Sequence, residues 1–171
     1  MVSTRIGRHR LSESPYFHVG ILVSDIEEAM ARYSPALDVT FVRPTIVNVP
    51  HLEYRGERSE VSLRLAYTTQ GPAYYELIEM IDEGFYGRWN GQGIHHVGVW
   101  EADVEARVRR LTASGLELEA AQYSPEGRFV AAYLNPGDLN GLRVELVDEG
   151  RRRMMEDWIR GSAFEDFPDE A

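Results

Sequence analysis

The sequence contains no cysteine and no lysine among its 171 residues. The absence of cysteine excludes disulfide bonds, thiolate nucleophiles and thiolate-bound zinc. Because all 18 basic residues are arginine, Schiff-base chemistry on a lysine is excluded as well. Any catalysis must therefore use histidine, carboxylate, tyrosine, arginine or hydroxyl side chains.

Positive net charge and long apolar runs are also missing. The formal net charge of −10 argues against nucleic acid or an anionic membrane as a partner. No apolar run approaches the roughly 20 residues needed to cross a bilayer, and the polar residues 1–14 lack the apolar segment of a signal peptide. We therefore expect a cytoplasmic protein, whose 43% hydrophobic fraction is enough for one compact core.

A short phrase occurs twice in the sequence. Residues 17–20 read Phe-His-Val-Gly and residues 95–98 read His-His-Val-Gly, and each copy runs on into an apolar strand pattern and then a helical one. His18 and His96 are 78 residues apart, whereas the glutamates in the two closing strand patterns, Glu76 and Glu145, are 69 apart. The first copy is thus nine residues longer between its helix and its closing strand.

The repeat predicts two tandem βαβββ modules and an α+β fold, because two copies are too few for a solenoid. Each module has a sheet face that it cannot cover alone, so pairing them is expected to build a curved sheet with a cleft. The predicted units are a mobile N-terminal arm at 1–14, a first module at 15–81, a Gly-rich linker at 82–93, a second module at 94–148, and a C-terminal helix with an acidic tail at 149–171.

Several local signals in the first module are specific enough to test. Ser24 followed by Glu27 reads as a capping box at the start of a helix, and Pro35 is expected to end that helix. Residues 39–49 predict an edge strand interrupted at Pro44. The polar stretch 51–59 reads as a loop that holds the nine surplus residues.

At these residues the chain resembles the vicinal oxygen chelate superfamily, which includes glyoxalase I, methylmalonyl-CoA epimerase, bleomycin resistance proteins and extradiol dioxygenases. The resemblance covers about residues 16–148 and implies paired βαβββ modules in an open mixed β-barrel around a divalent metal ion. It also implies a homodimer. The positions that match the ligands of the family are His18, Glu76, His96 and Glu145. His96 is the match, rather than His95, because it precedes Val-Gly as His18 does.

Two imidazoles and two carboxylates suit a borderline ion such as Zn²⁺, Ni²⁺, Co²⁺ or Mn²⁺, and the resemblance to dioxygenases adds Fe²⁺. Four protein ligands on an octahedral ion leave two positions, at which a small carbonyl substrate with neighbouring oxygens could chelate. The ion would then stabilise an enolate or enediolate, while Glu76 or Glu145 moves the proton next to the carbonyl. We favour Glu145, because the shorter second module leaves less loop to cover it. This chemistry predicts an isomerase, epimerase or lyase of the glyoxalase type.

Other interpretations of the same residues stay open. Glu76 and Glu145 could face solvent or pair with Arg64 or Arg143, and His95 could be structural. The chain could also be a non-catalytic protein that sequesters small molecules in the same cleft. A third possibility is an Fe(II) extradiol-type dioxygenase, which needs two histidines and only one carboxylate.

Four further residues are candidates for contacts with the substrate. His51, Tyr54 and Arg55 in the polar stretch could line the cleft or act as a lid, although a solvated loop has the same composition. Arg128, beside the turn at 125–127, could meet a carboxylate of the substrate or form a surface ion pair.

Overall fold

A β-α-β-β-β order occurs twice between residues 16 and 148 of the computed structural model, which describes residues 15–164. The elements are β1 (Tyr16–Val23), α1 (Ile26–Leu37), β2 (Thr45–Tyr54), β3 (Glu57–Tyr67), β4 (Tyr74–Glu79), β5 (Gly93–Glu101), α2 (Val104–Ala113), β6 (Leu118–Tyr123), β7 (Phe129–Leu134), β8 (Val144–Asp148) and α3 (Arg152–Ile159). The predicted mobile arm at 1–14 and the end of the predicted acidic tail lie outside the described residues.

The eight strands form one closed barrel in the order β1-β4-β3-β2-β6-β7-β8-β5. Within each module the first and last strands are parallel, and the modules join through the antiparallel pairs β1–β5 and β2–β6. The predicted α+β fold of two tandem modules with a C-terminal helix is confirmed. The barrel differs from the predicted open one because the end of β2, residues 52–54, pairs with β6 and closes the ring.

The polar stretch 51–59 is not a loop, so that prediction was wrong. It forms the outer end of the β2–β3 hairpin, which turns at Arg55 and Gly56 with φ values of 53° and 80°. Two successive residues with positive φ are the mark of a tight hairpin turn. The nine extra residues of the first module lengthen these two strands. β2 and β3 have 10 and 11 residues, whereas the equivalent strands β6 and β7 have 6 each.

The ends of α1 also differ from the prediction. Asp25, not Ser24, is the N-cap, and its carboxylate accepts a hydrogen bond from the backbone N–H of Glu28 at 2.8 Å. A carboxylate is favourable here because the helix dipole is positive at this end. Pro35 does not end the helix, which runs on to Leu37. A proline in the last turn removes only one hydrogen bond near solvent, so the helix tolerates it.

Alternation along the strands divides the apolar residues into an inner core and two outer layers. The outer faces of the two modules are covered by α1, which packs on Ile21 and Leu77, and by α2, which packs on Ala132 and Leu146. The inner core fills the barrel and includes Trp158 of α3. Within residues 15–164, no helix is long and apolar enough to span a membrane.

Candidate metal centre

Four polar side chains share the interior of the barrel with the inner core. His18 and His96 lie on β1 and β5, the two central strands that join the modules, while Glu76 and Glu145 lie on the neighbouring β4 and β8. All four side chains are buried, with residue exposures between 1% and 6%. Ionisable groups this deeply buried are costly unless they are paired or bind an ion.

The inner atoms of these four residues converge on one point. The two Nε2 atoms of His18 and His96 are 2.8 Å apart. Oε2 of Glu145 lies 2.9 Å from Nε2 of His18 and 3.2 Å from that of His96, and Oε2 of Glu76 lies at 3.3 and 3.4 Å from the same two atoms. The structure therefore brings together the four residues that the repeat singled out.

The glycines of the repeated phrase explain why the imidazoles can approach so closely. Gly98 pairs with His18 across the β1–β5 ladder, and Gly20 pairs with His96. A Cβ on Gly98 would lie 2.4 Å from Cε1 of His18, and one on Gly20 would lie 2.2 Å from Cε1 of His96. Each imidazole thus rests on the glycine of the other module, in space that a side chain would fill.

Two tyrosines hold the outer oxygens of the carboxylates. Tyr67 donates a hydrogen bond of 2.6 Å to Oε1 of Glu76, and Tyr133 donates one of 2.6 Å to Oε1 of Glu145. Burial and the adjacent carboxylates raise the pKa of both tyrosines well above the ordinary value, which keeps them neutral donors. Each carboxylate therefore turns its other oxygen, Oε2, towards the histidines.

The sequence interpretation missed Tyr67 and Tyr133, although a signal was present. Both follow an alanine in a strand pattern, at 66–67 and 132–133, and each is directly opposite its glutamate in the ladder. This second repeated phrase has only two residues, which is too short to stand out in the sequence alone.

His95 lies behind His96 and determines which imidazole nitrogen faces the centre. Its Nε2 is 3.2 Å from the carbonyl oxygen of Phe85, and its Nδ1 is 2.9 Å from Nδ1 of His96. Burial, His96 and Arg143 lower the pKa of His95 to about 3, so it is neutral. Because a neutral imidazole that donates through Nε2 accepts at Nδ1, His96 must keep its proton on Nδ1. Nε2 of His96 is then the atom that can give up its proton and bind an ion.

The charges of the cluster support one another. Burial lowers the pKa of His18, but the nearby Glu76 and Glu145 outweigh it and raise the pKa to about 10. Burial would raise the pKa of each carboxylate, but the histidines outweigh it and lower both. Without an ion, at least one imidazole is therefore protonated beside the two carboxylates, and the 2.8 Å between the two Nε2 atoms leaves room for only one proton between them.

These shifts predict how the metal-free protein responds to pH. The raised pKa of His18 contributes stability that is full below its unfolded value of 6.5 and is lost as the pH rises towards about 10. The lowered pKa values of the carboxylates contribute stability above 4.5, which is lost on acidification. We expect the melting temperature of the chelator-treated protein to fall by roughly 5 °C or more between pH 5.5 and pH 9. Circular dichroism measures this, and His18→Gln should flatten the alkaline fall; equal falls in both proteins would contradict the assignment.

The donor set fits a divalent cation. Ligand atoms bound about 2.1 Å from one ion lie about 3.0 to 3.4 Å apart at octahedral and tetrahedral angles, close to the distances of 2.8 to 3.4 Å that involve the two imidazole nitrogens. The ligand atoms of His18, Glu76 and His96 all lie within 4.8 Å of one another. Oε2 of Glu145 is buried without a hydrogen-bond partner, although it is 2.9 Å from Nε2 of His18. This oxygen faces the two histidine nitrogens, where a cation would replace the proton as its partner.

The two arginines considered as partners for the glutamates lie elsewhere. Arg64 forms ion pairs with Glu27 and Glu79 on the outside of the barrel. Arg143 binds Glu119, with Nε 2.7 Å from Oε2, and it also donates to the carbonyl oxygen of His95. In the part of the chain that the structure describes, neither arginine is therefore the partner of Glu76 or Glu145 that the sequence left open.

A cavity of about 90 Å³ opens beside the cluster. Its volume is several times the roughly 10 to 15 Å³ that one water molecule requires, so it can accept a small organic molecule. His18, Glu76 and Glu145 line it, together with Met155 and Trp158 of α3.

The four residues expected to contact the substrate do not line this cavity. His51 is exposed on β2, and Arg55 lies in the hairpin turn with its guanidinium 4.9 Å from the ring centre of Tyr54. Tyr54 packs on Phe85 at a ring distance of 5.3 Å. Arg128 is exposed and lies 3.9 Å from Glu126. Residues 51–59 form a hairpin and not a loop over the cleft, and contact between these four side chains and a substrate stays a prediction.

Known proteins resemble the chain in both sequence and fold. The sequence profile of the Glyoxalase/Bleomycin resistance protein/Dioxygenase superfamily matches residues 17–133, well over half of the chain. No curated protein matches the sequence.

Solved structures share the fold at low sequence identity. A hypothetical protein from Bacillus halodurans C-125 is 20% identical with a TM-score of 0.61, covering 80% of this chain and 94% of its own. A variant of methylmalonyl-CoA epimerase from Streptomyces coelicolor, in complex with 2-nitronate-propionyl-CoA, is 23% identical with a TM-score of 0.59, covering 79% and 94%. Methylmalonyl-CoA epimerase from Mycobacterium tuberculosis is 24% identical with a TM-score of 0.58, covering 82% and 93%. At these identities the similarity establishes the fold alone.

Proposed function

Because the chain belongs to the glyoxalase, bleomycin resistance protein and dioxygenase superfamily, the vicinal oxygen chelate superfamily, we propose that it is a metal-dependent enzyme that moves a proton next to a carbonyl group. The reaction is an isomerisation, an epimerisation or a lyase-type step on a small molecule. The observation that carries this proposal is the convergence of two imidazole nitrogens and two carboxylate oxygens in the barrel.

His18, Glu76, His96 and Glu145 would hold one divalent ion, with Zn²⁺, Ni²⁺, Co²⁺ and Mn²⁺ as the candidates. When bound, such an ion supplies a Lewis acid that stabilises negative charge developing on the oxygens of a substrate. The tyrosines behind the carboxylates keep both glutamates oriented, and the apolar cavity walls exclude water from the reacting group. These contributions come from the chain itself.

Glu145 is the residue that we propose removes and returns the proton. Glu145 lines the cavity, and its Oε2 is buried 2.9 Å from Nε2 of His18. Its Oε1 is held by Tyr133, whose hydroxyl is 2.8 Å from that of Tyr86. Gln122 donates to both of these hydroxyls, at 2.9 and 3.0 Å. Glu76 has only Tyr67 as a corresponding partner among the described residues, so the two carboxylates are held differently.

The metal content of the purified protein tests the first part of the proposal. We expect about one divalent ion per chain in protein purified without chelator, and recovery of that ion when chelator-treated protein is reloaded. Plasma mass spectrometry measures both. A chain that stays metal-free and binds none of the four ions would overturn the proposal.

Proton transfer is tested separately with the loaded protein. We expect hydrogen next to a carbonyl to exchange with deuterium from D₂O in a panel of 2-hydroxyketones and branched acyl thioesters, followed by proton NMR. Loaded protein that binds members of the panel without exchange would instead support a non-catalytic binding protein. Oxygen consumption with a catechol after Fe²⁺ loading would support the dioxygenase alternative.

A further inference from the structure

The outer wall of the cavity is supplied by a segment beyond the family match. The superfamily profile ends at residue 133, whereas Met155, Trp158 and Phe164 of the C-terminal segment line the cavity. Trp158 is buried, and its ring lies 5.5 Å from that of Tyr67, which holds Glu76. The indole therefore lines the same cavity as Glu76 and contacts the tyrosine that holds this proposed ligand.

The polar groups next to the cluster are already hydrogen-bonded to one another. Tyr67 and Tyr133 donate to the carboxylates, and Gln122 donates to the hydroxyls of Tyr86 and Tyr133. These groups surround the inner end of the cavity. They leave few free donors there for polar groups of a ligand beyond its chelating oxygens.

Most of the remaining wall is apolar. It includes Val47, Val49, Leu63, Leu65, Val130 and Val147. Arg151 is the one cationic side chain among the described residues of the lining other than histidine, and it has an interaction of its own within the protein. An anionic group packed against this apolar part of the wall would lose its hydration without gaining a partner there, which is unfavourable.

We propose that the substrate carries a neutral apolar group, of the size of a phenyl ring or a branched alkyl chain, that packs against Trp158 while its oxygens face the histidines and glutamates. This inference rests on the proposed function, since it concerns the same site. Trp158 is then a residue that determines specificity, and α3 selects the apolar part of the substrate.

Small chelating probes test the inference without knowledge of the substrate. Hydroxamates carry two adjacent oxygens, and their binding to Co²⁺-loaded protein changes its visible absorption spectrum. We expect benzohydroxamate to bind roughly 10-fold to 100-fold more tightly than acetohydroxamate, because its ring is removed from water. We also expect 4-carboxybenzohydroxamate, which has the same ring and a negative charge, to bind at least 10-fold more weakly than benzohydroxamate.

A pair of tryptophan variants assigns the effect to α3. Trp158→Ala should reduce the preference for benzohydroxamate over acetohydroxamate by about 10-fold while leaving Co²⁺ bound. Trp89→Ala is the matched control, because Trp89 is 57% exposed and does not line the cavity, and it should keep the wild-type preference. If Trp158→Ala does not fold, Trp158→Phe is expected to show a smaller shift in the same direction.

The outcomes separate this inference from the proposed function. If Co²⁺ and acetohydroxamate bind but the phenyl ring or its negative charge makes no difference, the inference is wrong and the metal centre stands. If both tryptophan variants lose the preference equally, the assignment to Trp158 is wrong. If Co²⁺ does not bind at all, the proposed function fails and the inference fails with it.

Discussion

Replacing Gly98 with alanine is expected to abolish tight metal binding, although residue 98 has no ligand atom. The new Cβ would lie 2.4 Å from Cε1 and 2.9 Å from Nε2 of His18. His18 would have to rotate, but its ring is packed at 4.4 Å from Phe17 and at 5.5 Å from Tyr67. A displaced imidazole loses its place beside the carboxylates, so we expect affinity for Zn²⁺ to fall by roughly 100-fold or more.

The symmetry of the site supplies an internal check on this result. Gly20→Ala should act on His96 in the same way, with its Cβ 2.2 Å from Cε1. Gly137→Ala is a suitable control, because the nearest atom to its Cβ is a side-chain oxygen of Asn135 at 3.2 Å, far from the cluster. Competition titration with a chromophoric chelator measures all three affinities. Wild-type affinity in Gly98→Ala or Gly20→Ala would show that the imidazoles are not the ligands.

Replacing Glu145 with glutamine is expected to have the largest effect on catalysis. An amide cannot accept the proton, so the rate of deuterium exchange should fall by roughly 10²-fold to 10⁴-fold. The substitution keeps the size of the side chain and its bond from Tyr133, so the fold should be retained. Exchange is measured by NMR on the best substrate of the panel, with each protein fully loaded with metal.

Glu76→Gln is the matched comparison, because Glu76 occupies the equivalent position of the other module. We expect it to weaken metal binding but, at saturating metal, to keep far more of the exchange activity than Glu145→Gln. A greater loss of exchange in Glu76→Gln would mean that the two carboxylates have the opposite roles. Equal losses would indicate that neither glutamate alone moves the proton.

Much of the fold and the four proposed ligands could be predicted from the sequence, because the duplication places equivalent residues at matching positions. A single histidine in a strand does not indicate a metal site. His18 and His96 stand in the same repeated phrase, and each module has a glutamate in its closing strand, so the four residues together indicate a shared site. Asp25 and Asp103 repeat as well, and both cap their helices, which the choice of Ser24 overlooked.

The remaining features depend on contacts between strands that are distant in sequence. The fit of His18 on Gly98 follows from the register of β1 and β5, which no local pattern shows. The polar composition of 51–59 predicts a loop, because the outer end of the β2–β3 hairpin is exposed to solvent. Only the pairing of β2 with β6 makes this stretch part of the barrel. The position of α3 over the cavity depends on where Trp158 packs, and a helical pattern alone does not specify that.

The reciprocal packing of imidazole on glycine has a consequence for the evolution of the chain. A substitution of the glycine in one module displaces the histidine of the other module. The two copies of the phrase therefore cannot accept substitutions independently of each other. The proposed ligands are spread from residue 18 to residue 145 and meet across both halves, so we expect the site to form late in folding. A half-folded chain would therefore lack a complete site, and an ion bound at the proposed site would link the first and last strands of both halves.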